Sequence, residues 1–260
     1  MTTVTRIKYN IAGRADVGRK RSANQDAIKF WHINDPERGA RGLLLVADGV
    51  GGQDSGEVAS KLAIEKVYEY LIPELEKASH TQDGWDKKIE KAFKLANKAI
   101  VQYANSNKMD PKKVGTTLEC VLLMMNKAYI GHVGDSRIYL LGREGLKLIT
   151  EDHSAVMQLV KAGIIAPEDI YTHPHKNILI RGLGGEDDLE VDVDEIQLTV
   201  GERVMLCSDG LWGLVMDDRI ENILLRAGSP DLLVEELIMA ANDAGGDDNI
   251  GIVVCDILPG

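Results

Sequence analysis

Aromatic residues are scarce in this chain: two Phe, three Trp and seven Tyr make up 5% of its 260 residues. A core must therefore be built from Leu, Ile, Val and Ala, within a hydrophobic fraction of 44% that is ordinary for a globular protein. Cysteine is sparse as well. Cys120, Cys207 and Cys255 stand far apart, each in an apolar strand-like run, which reads as buried thiols in a reducing compartment and not as a disulfide framework. No apolar run approaches the roughly 20 residues that a membrane helix requires, and residues 1–21 lack a signal-peptide core. A soluble, cytoplasmic protein without a membrane partner is expected. Basic blocks are missing too. The 30 Lys and Arg are outnumbered by 41 Asp and Glu, and a net charge of −11 argues against a nucleic-acid partner.

What is present is a chain of strands and helices without repeats, low-complexity tracts or a composition shift that would mark a linker. A single domain over residues 1–260 is expected. Strand patterns cover residues 4–17, 27–33 and 43–47, with Pro36, Gly39 and Gly42 punctuating a loop before the third. Asp54 or Ser55 is placed to cap a helix whose apolar stripe runs Val58, Leu62, Ile64, Val67, Leu71 and Leu75. A second helical pattern follows over 85–103, then strands over 116–125, 128–133 and 137–141. Residues 152–163 read as a short amphipathic helix, leading into an irregular flap; the flap as a whole is placed at about 153–185. Strands at 192–198 and 203–207, helices at 217–227 and 230–243, and a strand at 250–257 complete the chain. This order lacks the strand–helix alternation of a doubly wound parallel sheet and suits antiparallel sheets with helix pairs packed outside.

Carboxylates recur at the ends of the strand patterns. Asp48 follows the run Leu43–Val46 and precedes Gly49, Gly51 and Gly52; Asp209 follows Val204–Cys207 and precedes Gly210. Asp26, Asp135 and Asp248 occupy comparable places beside other strands. Any one of these acids is most simply a turn residue. Five of them converging would form a strongly negative pocket in which each raises the others' pKa. Hard divalent cations resolve that repulsion, since Mg2+ and Mn2+ favour oxygen ligands. No Cys/His set has zinc spacing. Two such ions held about 3.5–4 Å apart by a bridging carboxylate can present a hydroxide to phosphorus.

The segments Gly18–Asp26, Asp48–Gly52, Gly115–Thr117, Gly134–Arg137, Ser208–Gly210 and Asp248–Asn249 occur in an order that resembles the metal-dependent (PPM, type 2C) serine/threonine protein phosphatases, bacterial branch, over about residues 7–257. The resemblance implies a four-layer α-β-β-α sandwich of the α+β class, with two mainly antiparallel sheets flanked by helix pairs. It implies hydrolysis of phosphoserine and phosphothreonine on proteins by attack of a metal-bridging hydroxide. Two ions, Mn2+ or Mg2+, and a weaker third are implied as cofactors. Asp48 resembles the carboxylate that bridges the two ions, and Gly49 the residue that adds a backbone carbonyl. Asp209 and Asp248 match the remaining ligands of the first ion, and Asp135 that of the third. Asp26 matches the acid that holds metal-bound water, and Arg21 the arginine that clamps the substrate phosphate through its planar fork.

The sequence departs from the eukaryotic pattern at Gln25, where many members have Glu, and at Val50, where many have a His proposed to protonate the leaving group. By the same resemblance the partners are phosphorylated proteins and a serine/threonine kinase with its targets, and a monomer is expected. His132, inside an apolar strand, reads as a core residue; His153, His173 and His175 lie at or in the flap. Cys207 reads as buried and not as a nucleophile. Two other readings are a catalytically weak binding module on the same fold and a two-metal phosphodiesterase.

Overall fold

Side-chain alternation along the strands decides the layers. In β3 (Gly39–Gly51), Leu43, Leu45 and Ala47 point to one face, whereas Leu44 and Val46 point to the other. The first set packs on two long helices; the second meets Val204, Leu206, Val253 and Cys255 from another sheet. A strand buried on both faces reads as the near-continuous apolar run seen in the sequence. The computed structural model describes residues 7–52, 55–78, 83–185 and 188–260.

Numbering follows chain order. One sheet runs β1 (Ile7–Asp16), β11 (Ile250–Pro259), β10 (Arg203–Cys207), β7 (Arg137–Gly142) and β8 (Gly145–Leu148). The other runs β2 (Asp26–Asp35), β3, β5 (Leu118–Met124), β6 (Lys127–Val133) and β9 (Asp192–Gln197), with the short β4 (Val114–Thr116) paired to the end of β3. Every pairing among them is antiparallel. Helices α1 (Ser55–Lys77) and α2 (Trp85–Ser106) cover the second sheet. The first is covered by α3 (Ala155–Lys161), α4 (Asp209–Trp212), α5 (Asp217–Leu224) and α6 (Pro230–Asp243). The result is the expected α-β-β-α sandwich, with aliphatic residues filling the layer between the sheets. Among the described residues, no helix is long and apolar enough to cross a membrane.

Several local expectations are corrected. Gly39 and Gly42 lie within β3, not in the loop before it. The pattern 116–125 is broken at Thr117, because β4 turns with the end of β3 while β5 pairs with its middle. The hairpin strand β8 and the one-turn helix α4 have no counterpart in the periodicity. Ser55 is the first helical residue, and its Oγ donates to the Gly52 carbonyl at 2.7 Å instead of accepting from a helix N–H. Asp54 lies outside the described residues. The segment placed as a flap starts with α3, passes a 3-10 turn over Pro167–Tyr171, and returns through bridges of Leu179 to Ser154 and Leu183 to Thr116.

Candidate active site

Strand register brings the first two acids together. Asp26 and Asp48 are directly opposed across β2 and β3, on the face that carries Ile28, Leu44 and Val46. That face looks at the other sheet, and Ser208, just past β10, donates from Oγ to Asp26 Oδ2 at 2.6 Å. Asp209 follows as the first residue of α4. Asp248 precedes β11, and Asp135 sits in the turn between β6 and β7, where its carbonyl accepts from Trp212 Nε1 at 2.9 Å. Asp48 is not at a strand end, as the glycines after it suggested. It lies inside β3, which continues to Gly51 in contact with β4.

The backbone around Asp48 is fully tied down. Its N–H donates to Thr117 Oγ1 at 2.9 Å, and its carbonyl accepts from Thr117 N at 2.9 Å and Thr116 Oγ1 at 2.8 Å. Thr117 Oγ1 also bonds Ser136 Oγ at 2.8 Å, so one hydroxyl connects the Asp48 strand to the residue after Asp135. At Gly49 a Cβ would stand 2.2 Å from the Gly56 carbonyl, so α1 can start close to the strand only because this residue has no side chain.

The acids perturb one another strongly. Burial pushes Asp26 up to about 8; the Ser208 bond opposes this, and the charges of Asp209 and Asp248 add to it. Asp48 is raised well above the carboxylate range by burial and by Asp26, Asp209, Asp135 and Asp248. Burial followed by the Asp209 charge raises Asp135, and burial followed by Asp248 lifts Asp209 to about 6. Asp26 Oδ1 and Asp209 Oδ1 are buried with no hydrogen-bond donor among the described residues. A side-chain bond to Asp48 partly offsets the rise of both Asp26 and Asp209, and between two carboxyl groups such a bond needs a proton on one of them.

Oxygen-only donors, mutual repulsion and two orphaned oxygens fit a hard divalent cation and nothing softer. As placed, no three Asp, Glu, His or Cys side chains among the described residues form a ready cation cage. Asp248 pairs with Arg21, with Nη2–Oδ2 at 2.7 Å, and Asp26 accepts from Ser208 while also facing Asp48, Asp209 and Asp248.

Arg21 rides on the loop 17–25, and Asn249 holds that loop. Its Nδ2 donates to the carbonyls of Val17 and Ala23, both at 2.9 Å, and its Oδ1 accepts from Gln25 N at 2.8 Å. Arg19 and Lys20 are exposed and pair with Asp243 and Asp247, not with Asp248.

A family model described as protein phosphatase 2C matches residues 17–225. The chain belongs to that family. It is 36% identical over 246 residues to the serine/threonine phosphatase stp of Listeria innocua, covering 94% of each chain. The serine/threonine phosphatase PstP/Ppp of Mycobacterium tuberculosis superposes with a TM-score of 0.84 at 34% identity, over 97% of this chain and 99% of that one. A PstP catalytic domain in complex with two manganese ions superposes with a TM-score of 0.83 at 32% identity, over 97% and 99% of the two chains.

In this phosphatase 2C chain the edge between the sheets brings together all the acids singled out in the sequence, with Arg21 beside them. Val50, next to Gly49, is exposed and offers no titratable group. Gln25 contributes its backbone, the carbonyl accepting from Gly49 N at 3.1 Å and Ser60 Oγ at 2.6 Å. His132 is the core residue expected: its Nδ1 meets Glu119 Oε1 at 2.7 Å and its Nε2 the Glu151 carbonyl at 2.8 Å. Cys207 is wholly buried and its thiol is pushed far up by burial, which rules it out as a nucleophile. Thr117, Ser136, Ser208, Asn249 and Trp212 hold the site from behind. The signal for Ser136, Ser208 and Asn249 was adjacency to the acids in sequence, and for Thr117 its place in the Gly115–Thr117 segment; Trp212 gave none.

Proposed function

We propose that this chain, as one catalytic domain, removes phosphate from phosphoserine and phosphothreonine on proteins. Asp48, the Gly49 carbonyl, Asp209 and Asp248 would hold two divalent ions, Mn2+ or Mg2+, with Asp26 holding water beside them and Asp135 serving a weaker third. When bound, such ions supply an activated water nucleophile and neutralise charge gathering on the phosphoryl oxygens. The observation that carries this reading is the acid cluster at the sheet edge, with two buried carboxylate oxygens that have no donor among the described residues and an arginine at its rim.

The chain's own residues bind and orient. Arg21, half-exposed, can release Asp248 and offer its fork to two phosphate oxygens once that carboxylate turns to an ion. Thr116 and Thr117 fix the Asp48 main chain, so the carboxylate is presented from a rigid strand and not from a loop. Valine at position 50 has no titratable group with which to protonate the leaving alkoxide. A cytoplasmic location and a serine/threonine kinase that phosphorylates the same targets complete the proposal; the acidic charge of the chain accords with protein and not nucleic-acid substrates.

Alanine at Asp48 or at Asp209 is expected to lower kcat on a phosphothreonine peptide with Mn2+ by at least about 100-fold, while circular dichroism shows the fold retained. Substantial turnover by a folded variant of either kind would remove the assignment.

A further inference from the structure

A run of buried polar side chains lies behind the turn that carries Asp135, and neither metal nor phosphate binding uses it. Gly134 precedes Asp135 with φ of +125°, and a Cβ there would fall 2.5 Å from Thr117 Cβ. Both polar groups of Gly134 are taken by a single residue, His153. The Gly134 N–H donates to His153 Nδ1 at 3.1 Å, and the Gly134 carbonyl accepts from His153 N at 2.7 Å.

A backbone N–H is always a donor, so it fixes His153 Nδ1 as an acceptor and places the ring proton on Nε2. That proton goes to Asp192 Oδ2 at 3.1 Å. Arg181 Nη1 lies 2.9 Å from the same nitrogen, but two donors cannot bond; its partner is Asp192 Oδ1 at 2.5 Å. The ring plane is set by His132, whose centroid is 4.4 Å away and which Glu119 and the Glu151 carbonyl pin from both sides. Burial and then the His132 charge depress His153 to about 4, in accord with a neutral ring.

We propose that His153 is a positioning residue that fixes the Gly134–Asp135 main chain and so aims the Asp135 carboxylate into the acid cluster. This rests on the reading of Asp135 as a metal ligand. The geometry has two supports beyond the ring itself. Trp212 Nε1 bonds the Asp135 carbonyl and Ser136 Oγ bonds Thr117, so the main chain is held from Gly134 to Ser136, and displacement of Gly134 by loss of its acceptor is felt at Asp135, at its carboxylate and at the carbonyl that Trp212 holds. Arg181 and Asp192, from either end of the stretch that returns from the flap, hold the tautomer that makes Nδ1 an acceptor.

The test exploits the difference between the two ring positions. Asparagine at 153 can place Oδ1 where Nδ1 stands; glutamine places its oxygen nearer Nε2. The full chain carrying 5-fluorotryptophan gives one 19F resonance for Trp212, assigned by its loss in Trp212→Phe, and this is read without metal. His153→Ala and His153→Gln are expected to shift that resonance and to lower kcat on a phosphothreonine peptide about 10-fold or more with KM little changed. His153→Asn is expected to restore both. A wild-type resonance and kcat in His153→Gln would overturn the proposal, as would equal losses in the Asn and Gln variants, which hold even if His153→Ala fails to fold. Should the wild-type chain itself prove inactive, the proposed function fails, and the resonance in the metal-free variants still decides the positioning role.

Discussion

At the residue scale, Arg21 and Asp248 each have two claims on them. They pair with each other at 2.7 Å, and the proposed function asks one to bind phosphate and the other to bind metal. On that proposal Asp248 would have to leave Arg21 to hold an ion, and metal and substrate binding would be coupled through this pair. Arg21→Ala is expected to raise KM for a phosphopeptide about tenfold, in line with loss of a hydrogen bond to a charged partner, and to leave kcat less affected. An unchanged KM in steady-state kinetics would remove Arg21 as the clamp.

The acids themselves set a pH dependence in metal-free protein. Asp26 is raised from 3.8 to about 8 and Asp209 to about 6, so the folded state binds more protons than the unfolded chain in this range. Their contribution to stability is therefore present at low pH and is lost as pH rises from about 4 through about 8. Thermal melts after chelation should show a falling Tm across that window, and Asp48→Asn should flatten the fall by removing one of the repelling charges. A Tm that rises with pH there would contradict the packing of the acids.

At the scale of elements, the loop carrying Arg21 depends on Asn249, the first residue before β11. Three bonds from one side chain to Val17, Ala23 and Gln25 hold that loop across more than 220 positions of sequence. Asn249→Ala should accordingly reproduce the KM increase of Arg21→Ala without touching phosphate; phosphopeptide kinetics in which only Arg21→Ala raises KM would show that the loop holds itself. Periodicity made the strands and the long helices legible, because Leu44–Val46 and the stripe of α1 bury on faces with periods of two and 3.6 residues. The break at Thr117 was not legible, since Thr-Thr suits a strand and only the divergence of β4 from β5 turns the hydroxyl toward Asp48. The turn of helix that begins at Asp209 was hidden for a related reason: Asp-Gly after a strand favours a turn, and the bond that ties its last residue, Trp212, goes to the carbonyl of Asp135, far away in sequence.

At the scale of the whole molecule, the sandwich gathers acids that no local pattern connects. Asp26 and Asp48 come from one sheet, Ser208 and the segment before β11 from the other, and their shared edge is where the aliphatic layer gives way to carboxylates. The acids could be picked from the sequence because each stands at the end of a strand pattern; their mutual placement could not, since it depends on which sheet faces which. His153 shows the same limit, its role being set by Gly134, Asp192 and Arg181, which only the fold brings to it. A negative pocket of this kind should hold ions that stabilise the fold and switch on hydrolysis together. The most direct measurement is phosphate release from a phosphothreonine peptide by protein stripped with EDTA and then titrated with Mn2+. No turnover is expected in the stripped protein and full recovery on titration, and undiminished turnover in protein shown to be metal-free would contradict a metal-dependent site.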